Sequence, residues 1–279
     1  MSTVPRLTLN NGVEIPQLGF GVFQIPPEET KDAVLQAFDV GYRHIDTAQS
    51  YRNEQVVGEA LKESGLDRGD VFVTTKLNNA AHAPEAALEA FDRSLERLDT
   101  EYVDLFLIHW PLAMLSNFVD TWKALEDIYG SGRAKAIGVS NFQLPHLRRL
   151  QAETTILPAV NQIEVHPYLT QTELTQFGRE HGIVIEAWSP IGQGRVLDDP
   201  TLTRIARNHD RSVAQVTLRW HVQRGHVVFP KSVTRARVEE NFDIFDFDLS
   251  DADLADIDGL NRDERTGPNP DTFDRIPPA

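Results

Sequence analysis

The 279-residue chain contains no cysteine. That excludes a disulfide framework, a thiolate zinc site and a thiol nucleophile, and it fits a reducing compartment. Long apolar runs are missing too. No stretch of about 18 uncharged apolar residues occurs, so nothing reads as a membrane span. No N-terminal apolar run follows basic residues, as a secretion signal would require. The expected location is the cytoplasm. Positive charge is scarce: 27 Lys and Arg face 42 Asp and Glu, for a net charge of −15. Such a surface repels nucleic acid and anionic lipid. Any anionic ligand must therefore be drawn in by a local basic patch.

What is present is enough apolar material, 41% of the residues, to bury a large core without staples. Arg6 to Leu9 and Val13 to Ile15 flank Asn10-Asn11-Gly12, a tight-turn signal that predicts an N-terminal β-hairpin. A hairpin placed there could plug one end of a barrel. Eight short apolar runs follow: Leu18 to Phe23, Arg43 to Asp46, Val71 to Lys76, Val103 to His109, Ala136 to Ser140, Ala159 to Val165, Val184 to Trp188 and Val227 to Lys231. They alternate with amphipathic stretches such as Glu28 to Val40, Pro84 to Leu98 and Thr172 to His181. Nearly continuous apolar strands suit a parallel sheet buried on both faces. Eight strand–helix units predict an α/β chain folded as one (β/α)8 TIM barrel domain over residues 1–279. An open doubly wound sheet would show a Gly-rich phosphate turn after its first strand. Here Gly19-Phe20-Gly21 lacks the third glycine. The tail from Gly267 to Ala279 reads as an extended loop over one barrel end, or as disorder.

Barrel chemistry gathers where the strands end, and most of these runs end in polar or aromatic groups. Asp46 closes the second, with Tyr51 one short loop later. Lys76 closes the third, His109-Trp110 the fourth, Ser140-Asn141 the fifth and Trp188-Ser189 the seventh, while Asn161-Gln162 and Glu164 lie in the sixth. Each alone has an ordinary structural reading: a solvated lysine, a packed tyrosine, a core histidine. Together they suit the reduction of a carbonyl by hydride, which needs a proton for the oxygen. A free Tyr, with a pKa of ~10, is a reluctant acid. A Lys ammonium beside Tyr51 is expected to lower that pKa, a carboxylate to hold the Lys, and a neutral His to orient the carbonyl.

Asp46-Thr47-Ala48-Gln49-Ser50-Tyr51-Arg52-Asn53-Glu54 resembles the DTAxxYxNE segment of the aldo-keto reductase superfamily. Lys76, Ile108-His109-Trp110-Pro111, Ile137-Gly138-Val139-Ser140-Asn141-Phe142, Asn161-Gln162 and Phe229-Pro230-Lys231-Ser232 extend the resemblance along essentially the whole chain. It implies that Asp46, Tyr51, Lys76 and His109 are catalytic. It implies that Ser140, Asn141 and Gln162 bind a nicotinamide carboxamide and that Trp188 stacks on the ring. Most members have Tyr there. Trp is similar to the bacterial 2,5-diketo-D-gluconate reductase group. By the same resemblance Ser189, Ile191 and Gln193 line the pyrophosphate, and Lys231, Ser232, Val233, Arg237, Glu240 and Asn241 hold the adenosine end. Lys231, Arg235 and Arg237 form the basic island that an anionic cofactor needs here. A Lys and an Arg near the ribose favour NADPH over NADH. The alternative is that Arg235 and Arg237 only solvate a helix start.

Phe23, Gln49 and Trp110 are the expected substrate-side residues. A short loop after the fourth strand, Leu112 to Asn117, and a short C-terminal segment suggest an open site for small carbonyls. These include aldehydes, dicarbonyls and keto-sugar acids such as 2,5-diketo-D-gluconate. The expected partner is a small carbonyl substrate only, with no nucleic acid, membrane or metal, and the expected assembly is a monomer. Two rival classes remain. One is a metal-binding hydrolase or isomerase barrel using His44, Asp46, Glu164 and His166. The other is a nucleotide-sensing barrel without turnover.

Overall fold

The computed structural model describes residues 4–276. Strands β1 (Arg6–Thr8) and β2 (Glu14–Pro16) form the hairpin, with Leu7 opposite Ile15. Gly12 takes φ 87° in its turn, a conformation that glycine adopts without steric cost. The remaining strands are β3 (Phe20–Gly21), β4 (His44–Asp46), β5 (Phe72–Leu77), β6 (Val103–Ile108), β7 (Ala134–Ser140), β8 (Val160–Glu164), β9 (Val184–Trp188) and β10 (Val227–Val228). Each pairs in parallel with the next. A parallel bridge between Leu18 and Val228 closes the ring. The Gly19 amide donates to Val228 O (2.9 Å) and the Val228 amide to Gln17 O (3.0 Å). All eight expected strands are therefore present, in a closed barrel.

The first and last barrel strands are shorter than their apolar runs. Pro230 has no N–H for the ladder, which limits β10. At the seam, Phe229 fills the space beside Gly19 and Gly21, where an added Cβ would lie 2.8 Å and 3.3 Å from it. Close approach of side chain to backbone replaces further pairing there.

Helices α1 (Pro27–Val40), α2 (Glu54–Glu63), α3 (Pro84–Leu98), α4 (Phe118–Gly130), α5 (Leu144–Glu153), α6 (Thr172–His181), α8 (Val213–Gln223) and α9 (Arg235–Phe242) follow the strands in turn. Two more, α7 (Pro200–Asn208) and α10 (Asp251–Asp258), are additions to the eightfold pattern. Helix α3 shows the local logic. Pro84 opens it, where a missing N–H costs nothing, and Asp99 ends it in the left-handed region at φ 50°. Ala87, Ala90, Phe91, Ser94, Leu95 and Leu98 form its buried face.

There are two apolar layers. The larger lies between strands and helices. The smaller lies inside the barrel, where Phe72, Leu105, Leu107, Ala136, Val160, Val227 and Phe229 meet Leu9 and Ile15 of the hairpin. The hairpin thus plugs the N-terminal end. Moving up the strands two residues at a time, the inward positions turn polar: Phe72, Thr74 and Lys76 on β5, or Val184 and Glu186 on β9. The C-terminal segment crosses the opposite mouth. Gly267 donates to Glu164, Phe273 stacks on Trp110 with centroids 4.1 Å apart, and Asn79 Nδ2 donates to Arg275 O (3.0 Å). The loop alternative holds for this tail, with residues 277–279 outside the described range. No helix among the described residues is long and apolar enough to cross a membrane.

The plug carries stability rather than chemistry. Ile15→Ala, at a site with no exposure, should cost about 2–5 kcal/mol in urea unfolding while the folded protein keeps its ligand binding. A loss below about 1 kcal/mol would mean the hairpin is not part of the core.

Candidate active site

Lys76 is fully buried at the third inward position of β5. Its ammonium donates to Asp46 Oδ1 at 2.7 Å, to Thr47 O at 2.9 Å and to Tyr51 OH at 3.3 Å. Burial alone would lower its pKa, but Asp46 and Tyr51 outweigh that and hold it above the ordinary lysine value. Lys76 therefore stays charged, with its three N–H donors matched to three acceptors. Tyr51 ends a 3-10 turn, Gln49–Tyr51, just past β4. Thr47 and Val22 brace that loop through Asn53, at 2.8 and 3.1 Å.

Lys76 lowers the Tyr51 pKa as expected, but the net value still lies above that of a free tyrosine. Burial of the hydroxyl end raises it, Asp46 adds to the rise, and Lys76 only partly offsets them. Tyr51 thus holds its proton across the neutral range. The benefit of Lys76 comes once the proton has left, because the phenolate then lies against an ammonium in a site of low polarity.

His109 follows β6, its ring 5.7 Å from that of Tyr51. Burial, with Lys76 adding to it, holds its pKa well below the usual histidine value, so the imidazole is neutral. Nδ1 lies 3.3 Å from Ser50 Oγ. With Ser50 donating, Nε2 carries the proton and can donate to an incoming oxygen. Ser50 was not among the expected site residues. Its place in the turn, one residue before Tyr51, was the available signal.

The other side of the rim is a set of amides and an indole. Ser140 Oγ donates to Gln162 O (2.9 Å). Asn141 Nδ2 donates to His109 O (2.9 Å) and Ser140 Oγ (3.1 Å), and its Oδ1 accepts from Trp188 Nε1 (2.9 Å). Gln162 Nε2 donates to Asp46 Oδ2 and to Glu186 Oε2, both at 2.8 Å. Asn141 and Ser189 sit in the left-handed region at φ 64° and 49°. That costs about 1–3 kcal/mol each and clusters where function requires a particular backbone. Ile191 and Gln193 (φ 54°) continue the loop after β9, which is supported from below by His221 Nε2 at 3.0 Å from Pro190 O.

Glu164, one step above Gln162, anchors the C-terminal segment. Its Oε1 accepts from the Thr266 amide (2.6 Å), the Thr266 hydroxyl and the Gly267 amide (3.3 Å). His166 Nε2 lies 3.2 Å away. Burial alone would raise its pKa, yet these partners hold it below the usual carboxylate range. Gly267 lies so close to Trp188 that a Cβ would come within 2.4 Å of the ring. The tail therefore braces the indole. The strand period of two marks both Glu164 and Glu186 as inward-facing, since they share parity with Gln162 and Trp188.

Of the substrate-side residues, Phe23 packs on Tyr51 with centroids 5.0 Å apart and is 55% exposed at the mouth. Trp110 stacks on Phe273, which had not been singled out. Gln49 is placed elsewhere. Its amide donates to Ala90 O and Ser94 Oγ on α3 and accepts from the Asn78 amide. Both ends are spent holding the turn against α3.

The residues expected at the adenosine end lie beyond β10. Ser232 accepts from the Thr234 amide (3.0 Å), Val233 is 43% exposed, and Arg237, Glu240 and Asn241 lie on α9. Arg235 is ion-paired to Asp39 and Glu239, so the solvated-helix alternative describes it. Lys231 and Arg237 are exposed, and neither forms an ion pair among the described residues. Of the groups in the metal-barrel alternative, His44 uses both ring nitrogens in the core, toward Pro16 O (3.3 Å) and Thr74 Oγ1 (3.0 Å). Glu164 is committed to the tail. No group of three or more His, Cys, Asp or Glu side chains among the described residues could hold a metal ion.

Residues 17–262 match the model of the Aldo/keto reductase family. The chain belongs to the aldo/keto reductase family. It is 52% identical over 269 residues to an aldo-keto reductase of Mycolicibacterium smegmatis, covering 96% of this chain and 98% of the relative. It is 52% identical over 264 residues to the glyoxal reductase of Bacillus subtilis, covering 94% and 95%. The crystal structure of a Gox0644 variant in complex with NADPH superposes with a TM-score of 0.94 at 42% identity, covering 98% of this chain and 99% of that one.

For this aldo/keto reductase the ion pair is also structural. Lys76→Met leaves Asp46 buried without its cation and should cost about 3–5 kcal/mol in chemical denaturation. The double variant Asp46→Asn with Lys76→Met should recover much of that loss. A double variant no more stable than the single one would show that the buried charge is not the cause.

Proposed function

We propose that this protein reduces aldehydes and ketones to alcohols with NADPH, and that Tyr51 delivers the proton. One observation carries the reading: the Lys76 ammonium lies between Asp46 at 2.7 Å and the Tyr51 hydroxyl at 3.3 Å, beside a neutral His109 at the C-terminal rim of a closed barrel.

The residues on the cofactor side fit a nicotinamide dinucleotide phosphate. Gln162 Oε1 accepts no hydrogen bond among the described residues and keeps some solvent access, so it can accept from a carboxamide N–H. Trp188 is half-buried and held edgewise by Asn141, leaving its ring available for stacking. Lys231 and Arg237, without an ion pair among the described residues of an acidic protein, suit phosphate. The solved relative that binds NADPH shares this architecture. When bound, NADPH supplies the hydride.

The chain does the rest. His109 Nε2–H and Tyr51 O–H converge on the carbonyl oxygen and orient it. As the oxygen gains negative charge, Tyr51 gives up its proton, the alcohol O–H forms, and the phenolate is left against Lys76. Asp46 keeps Lys76 charged and placed for that moment. The tyrosine recovers its proton from solvent. Phe23, Trp110 and Phe273 form an apolar wall that excludes water from the reacting atoms.

Small dicarbonyls of the glyoxal type are the substrate class we favour, supported by the glyoxal reductase relative and the aromatic mouth. Keto-sugar acids such as 2,5-diketo-D-gluconate are the second. The working unit we propose is the single chain.

Tyr51→Phe should lower kcat by about 10²–10⁴, the usual worth of a general acid, while fluorescence titration shows NADPH binding intact. Near wild-type turnover in NADPH absorbance assays would remove Tyr51 from the role. Arg237→Ala should lower kcat/KM for NADPH roughly tenfold or more, the value of a charge-assisted hydrogen bond, and leave NADH nearly unaffected. Equal losses with the two cofactors would refute a 2′-phosphate contact.

A further inference from the structure

Glu186 is buried inside the barrel, on the β9 position in register with Gln162 of β8. It takes no part in the chemistry described above. Its Oε2 accepts from Gln162 Nε2 at 2.8 Å, and its Oε1 is buried without a partner among the described residues. No cation bonds to it, because Lys76 is committed to Asp46, Thr47 and Tyr51. A buried acid with one open oxygen costs stability that an aliphatic side chain would not. Its one hydrogen bond therefore indicates what it is for.

We propose that Glu186 is a positioning residue for hydride transfer: through Gln162 it turns the amide so that the amide oxygen, not the nitrogen, meets the nicotinamide carboxamide. This rests on the NADPH reading above. A primary amide has two N–H donors and one carbonyl oxygen. Asp46 Oδ2 takes one donor of Gln162 and Glu186 Oε2 the other. Rotation of the amide by half a turn would put its oxygen against Asp46 and turn the N–H groups toward the cofactor. With both acceptors present, that orientation is excluded, and Gln162 Oε1 is left for a donor from outside the chain. Without Glu186, one N–H is buried and unpaired and the amide loses half of its anchoring.

The state of the acid suits this task. The side chains facing it are Asp46 from β4, Lys76 from β5, Gln162 from β8 and apolar Val227 from β10. Burial, with Asp46 adding to it, pushes its pKa up to about 8. With any proton carried on the open Oε1, Oε2 accepts from Gln162 in either state of the acid, and Lys76 keeps Asp46 as its counter-ion.

The test compares two cofactors in wild type and variants, with a small dicarbonyl as substrate. One is NADPH. The other is its reduced 3-acetylpyridine analogue, which has a methyl ketone in place of the carboxamide and so no N–H for Gln162. Oxidation of NADPH by the wild type checks the underlying reading. Glu186→Leu should lower kcat/KM about tenfold with NADPH, the upper range for one hydrogen bond, and weaken NADPH binding in fluorescence titration without substrate by a similar factor, with both effects below about twofold for the analogue, because interaction terms vanish when one partner is absent. Glu186→Gln, which restores an acceptor oxygen, should bring the NADPH value back. If leucine does not give folded protein, Glu186→Met makes the same deletion with a more adaptable side chain. Equal losses with both cofactors, no loss with NADPH, or failure of glutamine to rescue would each overturn the proposal. An active wild type in those cases would leave the reductase reading standing.

Discussion

Lys76 carries a full charge in the interior of a barrel, and much of the site is arranged around making that tolerable. A buried ammonium is stable only if its N–H groups are matched and its charge is countered. Asp46, Thr47 O and Tyr51 meet that condition, each from the β4 strand or the turn that follows it. The pairing of β4 with β5 is thus coupled to the chemistry. The register that places Asp46 opposite Thr74 also sets Lys76 one inward step higher, within reach of both Asp46 and Tyr51. A slip of one residue would turn every one of these side chains to the other face.

The barrel divides its labour along its axis. At the N-terminal end, the inward positions are apolar and meet the hairpin in a dry core. Further up the strands they become Asp46, Lys76, Gln162 and Glu186, a polar layer linked by hydrogen bonds. Above that lie His109, Asn141, Glu164 and Trp188, of which His109 and Trp188 keep partial exposure. The C-terminal segment is tied into this upper layer by Glu164, which holds the tail against the Trp188 indole. Substrate room and ring position are therefore coupled through Gly267, which approaches Trp188 too closely to carry a side chain.

Much of this was legible from the chain alone. The eight strands could be read because buried parallel strands are continuous apolar runs, and their ends showed Asp46, Lys76, His109 and Trp188 because the last inward residue of a strand has to face the mouth. Elements at the seam were overestimated. Leu18 to Phe23 and Val227 to Lys231 look like full strands, but Pro230 and the packing of Phe229 on two glycines leave short pairs there. Gln49 looked like a mouth residue from its position between Asp46 and Tyr51. In a 3-10 turn, its side chain points instead toward α3.

Residue type and two-residue alternation by themselves determined the fold class, the four groups gathered at the rim around Lys76, and an acidic surface with a basic island near α9. These depend on local pattern, which a linear chain displays. Tertiary structure alone decided the rest. It set the protonation of Tyr51, where burial outweighs the neighbouring ammonium. It separated Arg235, paired to carboxylates, from Arg237. It gave Glu164 the tail and Glu186 the Gln162 amide. Each of these depends on how deep a group lies and on which distant residue meets it. Solvent access and long-range contact exist only once the barrel has closed.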